Sequence, residues 1–322
     1  MKRGNFIAFL VFQIVARPSF SDGPPRIDES AFDEKTRSSL RERYHGPFES
    51  GKWKAGESWM GPGGYNMKNG SVIDPVTKEC SSGHGGSCYG NAEMISELLT
   101  LNWDKSQKPG SSANTKTDPP RIKLSTARNS VSASTMDGYS DFKSFLQKPE
   151  NRQAAVDWAR GSLHSTQDHD GARVAQAKSP QENKLYVEEL QRRIDMGLLP
   201  NLTFDIQGTE LKHSVLLKEI KDEGDRYSLV TLDSNFPDKA HTIHVDKMTG
   251  DVSSLGAYDD YVLKDGNSAK KQLSKAVIGI GNPDGWKKVL EKHGPQAQAT
   301  PRYQEPSSIN GPIDFGPSAH GN

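Results

Sequence analysis

The chain has 322 residues, 33% of them hydrophobic, and a mean hydropathy of −0.74. That is length for one large domain or two small ones, with a modest core and much polar loop or tail. Lys+Arg and Asp+Glu both number 41, so the formal net charge is zero and no general electrostatic drive toward nucleic acid or an anionic membrane exists, leaving room only for a local basic patch.

Lys2 and Arg3 make a positive start, Phe6 to Ala16 an apolar run broken by Gln13, and Ser19-Phe20-Ser21 supplies small residues for a cut before Asp22. This three-part pattern predicts a signal peptide over residues 1–21 and a secreted or periplasmic protein. The apolar run is too short to cross a bilayer, and no later segment approaches ~20 continuous apolar residues, so no membrane span is expected. Residues 22–50 are charged and contain proline. They read as a polar arm, exposed or pro-like, with a short helix around Asp33–Tyr44. Residues 51–76 carry Trp53, Trp59 and Tyr65 among many glycines. Glycine and proline mark turns there, and the aromatics close a core edge or line a groove.

Residues 88–101 predict a helix, because Cys88, Ala92, Ile95 and Leu99 recur on one face. Ser87 suits its N-cap. Residues 104–120 are a polar loop without periodicity, whereas 139–160 and 180–197 read as helices. The second of these has a stripe of Leu185, Val187, Leu190 and Ile194. The pattern then switches to period two. Strands are expected at 212–220, 226–232 and 240–246, with a charged turn after the first and a further short strand after 247–251. Helices followed by an antiparallel sheet make an α+β fold. Residues 293–322 are rich in Pro, Gly, Gln and Ser and read as a disordered tail.

The two cysteines, Cys80 and Cys88, leave two readings open. They form a small disulfide loop of the kind found in exported chains, or Cys88 is a nucleophile. A helix N-terminus lowers a thiol pKa, and Gly85, Gly86 and Gly90 let backbone or substrate approach the sulfur. The base should be a histidine within hydrogen-bond reach. His213 opens an apolar strand, a rigid mount. His84 lies in a glycine-rich turn and suits an oxyanion contact better. His241 and His244 sit on a later strand, with His244 sharing the outward face with Thr242. His164 and His169, beside Asp168 and Asp170, match no common metal motif. No metal is expected, two cysteines being too few for a cysteine-based zinc site, and no cofactor is called for. Asp233 ends the strand that follows His213. With one hairpin turn between them, the two residues are adjacent in space, so Asp233 can orient the base. Asn235 is the alternative, and a plain strand-ending turn over 233–237 is the bland reading.

Three short motifs resemble the papain-like cysteine peptidase superfamily, especially its bacterial branch of bacteriocin-processing peptidases. Gly86-Ser87-Cys88-Tyr89-Gly90-Asn91-Ala92 resembles the nucleophile turn and helix, His213-Ser214-Val215 the His-Ala-Val strand, and Asp233-Ser234-Asn235-Phe236-Pro237 the Asp-Pro-Asn-x-Pro turn. The resemblance implies a papain-like catalytic domain over 51–292, its helical part packed on an antiparallel sheet, with Cys88 as nucleophile, His213 as base and Asp233 as orienting residue. Where many relatives carry an oxyanion-binding glutamine, this chain has Ser82, so backbone N–H groups, His84 or Ser87 would serve. The expected function is an exported thiol hydrolase, a cysteine peptidase acting on a peptide or protein through a thioester. The alternatives are a transglutaminase-like acyltransferase and a non-catalytic papain-like binding module with Cys80 and Cys88 bridged.

Overall fold

A computed structural model describes residues 23–48, 67–68, 71–72, 88–106, 135–141, 144–145, 148, 151, 174–209, 211–233, 236 and 240–295. The expected signal peptide, the aromatics at 53, 59 and 65, most of the 104–120 loop and 139–160 helix, and the tail beyond 295 lie outside the described residues.

In chain order the elements are α1 (Glu34–Tyr44), β1 (Met67–Lys68), β2 (Ser71–Val72), α2 (Cys88–Thr100), β3 (Asn102–Asp104), β4 (Thr135–Asp137) and β5 (Val174–Gln176). Then come α3 (Asn183–Asp195), β6 (Asn201–Ile206), β7 (Lys212–Asp222), β8 (Arg226–Leu232), β9 (His241–Asp246), β10 (Val252–Ser254), β11 (Ala276–Gly281) and α4 (Gly285–His293). Seven strands form one sheet in the order β10-β9-β8-β7-β6-β11-β5, every neighbouring pair antiparallel. Helices with an antiparallel sheet make the fold α+β. Two further two-stranded pairs, β1–β2 and β3–β4, stand apart from it.

Period-two alternation decides which side chains meet which helix. On β7, Val215 and Leu217 join Leu202, Phe204 and Ile206 of β6 and Tyr186, Val187 and Leu190 of α3 in one core. Leu216, between them, joins Leu232 of β8 with Ala92, Ile95, Leu98 and Leu99 of α2 and Leu40 and Tyr44 of α1 in another. The sheet therefore separates two apolar clusters, with α2 in one and α3 in the other. A one-residue slip of β7 would exchange their contents.

Four expectations need correction. Residues 23–48 are no exposed arm: Ile27, Phe32, Leu40, Tyr44 and Phe48 are buried in the core that holds α2. Leu40 and Tyr44 are four apart and share one face of α1, which Asp33 caps by accepting the Thr36 N–H at 2.7 Å. The stripe on α3 is rotated: Leu185 is 39% exposed, while Tyr186 is buried. Asn183 is buried as well, its amide bonded to Gly250 O, Ala276 O and the Ile278 N–H. The charged turn is shorter than expected, since β7 runs on to Asp222. Finally, β6 and β11 lie in segments not read as strands. Glycines mark breaks in most strands, but β11 needs them. A Cβ on Gly279 would stand 2.7 Å from Thr203 Oγ1, and one on Gly281 2.7 Å from the Asn201 amide and 2.9 Å from the Tyr89 ring.

The N-terminal segment is tied down by a buried ion pair. Glu189, with no exposed surface, accepts from Arg193 Nε at 3.0 Å and from the Ile27 N–H at 2.9 Å. The rest of the Arg193 guanidinium donates to Pro283 O and Pro25 O at 2.8 and 3.0 Å. One arginine thus fastens three separate chain segments. Among the described residues, no helix is long and apolar enough to cross a membrane. Removing one partner of a buried pair strands the other charge, so Arg193→Met should lower the unfolding free energy in urea by about 3–5 kcal/mol. A change within ~0.5 kcal/mol, the ordinary surface value, would mean that the pair does not anchor this segment.

Candidate active site

Cys88 is the first residue of α2. The helix is held by Ala92, Ile95, Leu98 and Leu99, all buried, so its N-terminal turn has a fixed position over the sheet. Exposed backbone N–H groups and the positive end of the helix dipole lie beside the sulfur, an environment that favours a thiolate. Cys88 is partly exposed and makes no disulfide among the described residues. Cys80 lies outside the described residues.

His213 is the second residue of β7, the central strand of the sheet, and is 7% exposed. The hairpin to β8 pairs Leu216 with Leu232, which brings the residue after β8, Asp233, to the start of β7. His213 Nε2 stands 3.0 and 3.1 Å from the two carboxylate oxygens of Asp233. The carboxylate is fully buried, and a buried charge needs such donors. Nε2 being committed to Asp233, Nδ1 is the ring nitrogen left for the sulfur. The Cys88 thiol hydrogen-bonds the imidazole and also receives the Ser214 backbone N–H. Ser214 is held in turn, its hydroxyl donating to Asn201 Oδ1 of β6. Cys88, His213 and Asp233 thus form one hydrogen-bonded series drawn from α2, β7 and the end of β8.

The charges reinforce one another. Burial pushes the Cys88 thiol up, but the His213 imidazolium, its hydrogen bond and the Ser214 N–H outweigh that and leave it below an ordinary thiol, with Asp233 opposing. Burial pushes His213 down, but Asp233, the Cys88 sulfur and the hydrogen bonds to both raise it to about 10. The two groups titrate as a pair. A lowered thiol beside a raised imidazole favours the thiolate and imidazolium together.

A fourth side chain reaches this centre that sequence reading missed. Tyr258 is 8% exposed. Its hydroxyl lies 2.7 Å from Asp233 Oδ2, to which it donates, and 2.7 Å from His213 Nε2. The ring packs against His213, Phe204 and Phe236 with centroid separations of 4.9, 5.4 and 5.5 Å. A single 3-10 turn, 256–258, delivers it. Gly256 has φ +63°, and a Cβ there would stand 2.8 Å from Thr242 O, so only glycine fits. The Asp259 carboxylate clamps the turn, accepting the Leu255 N–H at 2.6 Å and the Ser254 hydroxyl at 2.9 Å. Nothing in a Gly-Ala-Tyr-Asp-Asp stretch after a short strand signals this. Asn201, equally unsignalled, sits in a segment not read as a strand.

Two other candidate histidines, His241 and His244, lie on β9. His241 packs on Phe236 at 4.4 Å. His244 Nδ1 pairs across strands with the Ser228 hydroxyl at 2.9 Å, and it shares its half-buried face with Thr242, as expected. The oxyanion candidates His84 and Ser87, the alternative Asn235, and His164, His169, Asp168 and Asp170 lie outside the described residues. No protein-family model matches the chain, and no curated protein or solved structure is significantly similar to it.

The pairing makes a kinetic prediction. At pH 6 an ordinary thiol is less than ~1% thiolate, and Cys88, whose thiol is held below the ordinary value, should exceed that fraction. Alkylation of Cys88 at that pH, read by mass spectrometry, should be at least about tenfold faster in the wild type than in His213→Gln. Equal rates would show that His213 does not hold the thiolate.

Proposed function

We propose that the protein is an exported thiol hydrolase, a cysteine peptidase with a papain-like arrangement of Cys88, His213 and Asp233. The observation that carries this reading is the unbroken series of hydrogen bonds from the Cys88 sulfur through the His213 imidazole to the buried Asp233 carboxylate. A structural cysteine has no need of a charged histidine, nor a surface histidine of a buried acid. Groups whose pKa values are driven past one another by mutual charge and hydrogen bonding, against the effect of burial, cluster at sites of chemistry.

The steps follow from the charges. The Cys88 thiolate attacks the carbonyl carbon of the scissile amide, forming the C–S bond and placing negative charge on the carbonyl oxygen. Backbone N–H groups at the start of α2 are suited to meet that charge. As the C–N bond breaks, the His213 imidazolium gives its Nδ1 proton to the departing amine. The product is a thioester on Cys88 with a neutral imidazole beside it. Water then loses a proton to Nδ1 and attacks the thioester carbonyl. The C–S bond breaks, the carboxylic acid leaves, and thiolate and imidazolium are restored. Asp233 stays ionised throughout, holding the ring with Nδ1 toward the sulfur and stabilising its cationic form.

Turnover of a fluorogenic peptide library by the secreted protein tests the reading. Cys88→Ala and His213→Ala should abolish turnover while circular dichroism stays native, and Asp233→Asn should lower kcat/KM about a hundredfold or more. Full turnover retained in Cys88→Ala or His213→Ala would sink the mechanism.

A further inference from the structure

Among the described residues, two side chains reach the Asp233 carboxylate. His213 Nε2 approaches Oδ2 at 3.0 Å, and the Tyr258 hydroxyl donates to the same oxygen at 2.7 Å. The Tyr258 oxygen is also 2.7 Å from Nε2. Because the hydroxyl proton is directed at Asp233, the phenol oxygen turns a lone pair to the imidazole N–H. The three groups close a small ring: the imidazole N–H is shared between the phenol oxygen and the carboxylate, and the phenol O–H donates to the carboxylate. The imidazolium therefore has two acceptors at Nε2, one charged and one neutral.

We infer that Tyr258 is a positioning residue of the active site, which bridges His213 to Asp233 and thereby widens the pH range over which the Cys88 thiolate and His213 imidazolium coexist. The inference rests on the proposed function and deepens it by adding a fourth member to the site. The physical argument has two parts. The phenol dipole has its negative end at the imidazole N–H and its positive end at the carboxylate, so it favours both charges. It also fills the side of the ring that faces Phe204 and Phe236, where water would otherwise compete for Asp233 in a site of low dielectric. A tyrosine that only filled space would need no hydroxyl. Here the hydroxyl makes two short contacts with the two residues that govern the thiol, and the backbone delivers it through a turn that tolerates only glycine at position 256.

The sign of the effect follows. Removing the hydroxyl takes an acceptor from the imidazolium, so His213 loses its proton at a lower pH. A less stable imidazolium stabilises the thiolate less, so Cys88 ionises at a higher pH. Both limbs move inward.

The test is the rate of Cys88 alkylation by iodoacetamide from pH 4 to 11 in the full mature chain, comparing wild type with Tyr258→Phe. Phenylalanine keeps the ring and its aromatic neighbours. The acid limb should move up and the basic limb down, and labelling on the acid limb should fall roughly three- to tenfold, the tenfold end being one pKa unit. Gly256→Ala, which displaces the turn through Thr242 O, should shift the limbs in the same direction and carries the test if Tyr258→Phe does not fold. Unmoved limbs in a folded Tyr258→Phe, with a depressed acid limb in the wild type, would overturn the role of Tyr258 and leave the proposed mechanism standing. A wild-type acid limb at the ordinary thiol value would overturn both.

Discussion

A fully buried carboxylate is the constraint on which the site depends. Asp233 has no exposed surface, and an ionised group so placed is costly unless donors surround it. Among the described residues His213 and Tyr258 donate to it, from the start of the central strand and from a turn beyond the last strand of one edge. Satisfying Asp233 therefore fixes the β7–β8 hairpin, the ring orientation of His213 and the return of the chain through residues 256–258. With Nε2 held in this way, the other ring nitrogen faces the N-terminus of α2. The position of the thiol and its charge are consequences of that arrangement.

The sheet supplies what such a centre requires: stiffness on two sides. β7 lies in the middle of seven strands, and its alternate residues feed two different apolar clusters. A shift of β7 along either neighbour would disturb both. α2 is pinned by the cluster that also takes in α1 and the segment at 27–48, so the N-terminal region helps hold the helix that carries the cysteine. Glu189 and Arg193 extend that hold by fastening residues 25–27 to α3 and to the turn before α4.

Much of this was legible in the chain. The recurrence of Cys88, Ala92, Ile95 and Leu99 found α2, and the alternation through 212–246 found three strands and the hairpin that joins His213 to Asp233. The rest was hidden for physical reasons. All six residues of β6 are buried, three of them polar, so its alternation does not separate water from core. β11 carries two glycines that read as breaks but make room for Asn201 and Thr203. Residues 23–48 look polar because their few apolar side chains are spread thinly, yet those are the ones that pack. Tyr258 is brought to the site by tertiary return alone, which no local pattern encodes. Helical spacing fixes a face only to within a residue or so, which is why Leu185, on the expected stripe of α3, is exposed and Tyr186 is buried.

The central claim is that Cys88 and His213 form a thiolate–imidazolium pair, and its most direct test is the ultraviolet thiolate absorbance of the wild type minus that of Cys88→Ser, followed from pH 4 to 10. The account predicts that the Cys88 step lies below the ordinary thiol value of ~8.5. A single step at or above that value would show an ordinary thiol and contradict it.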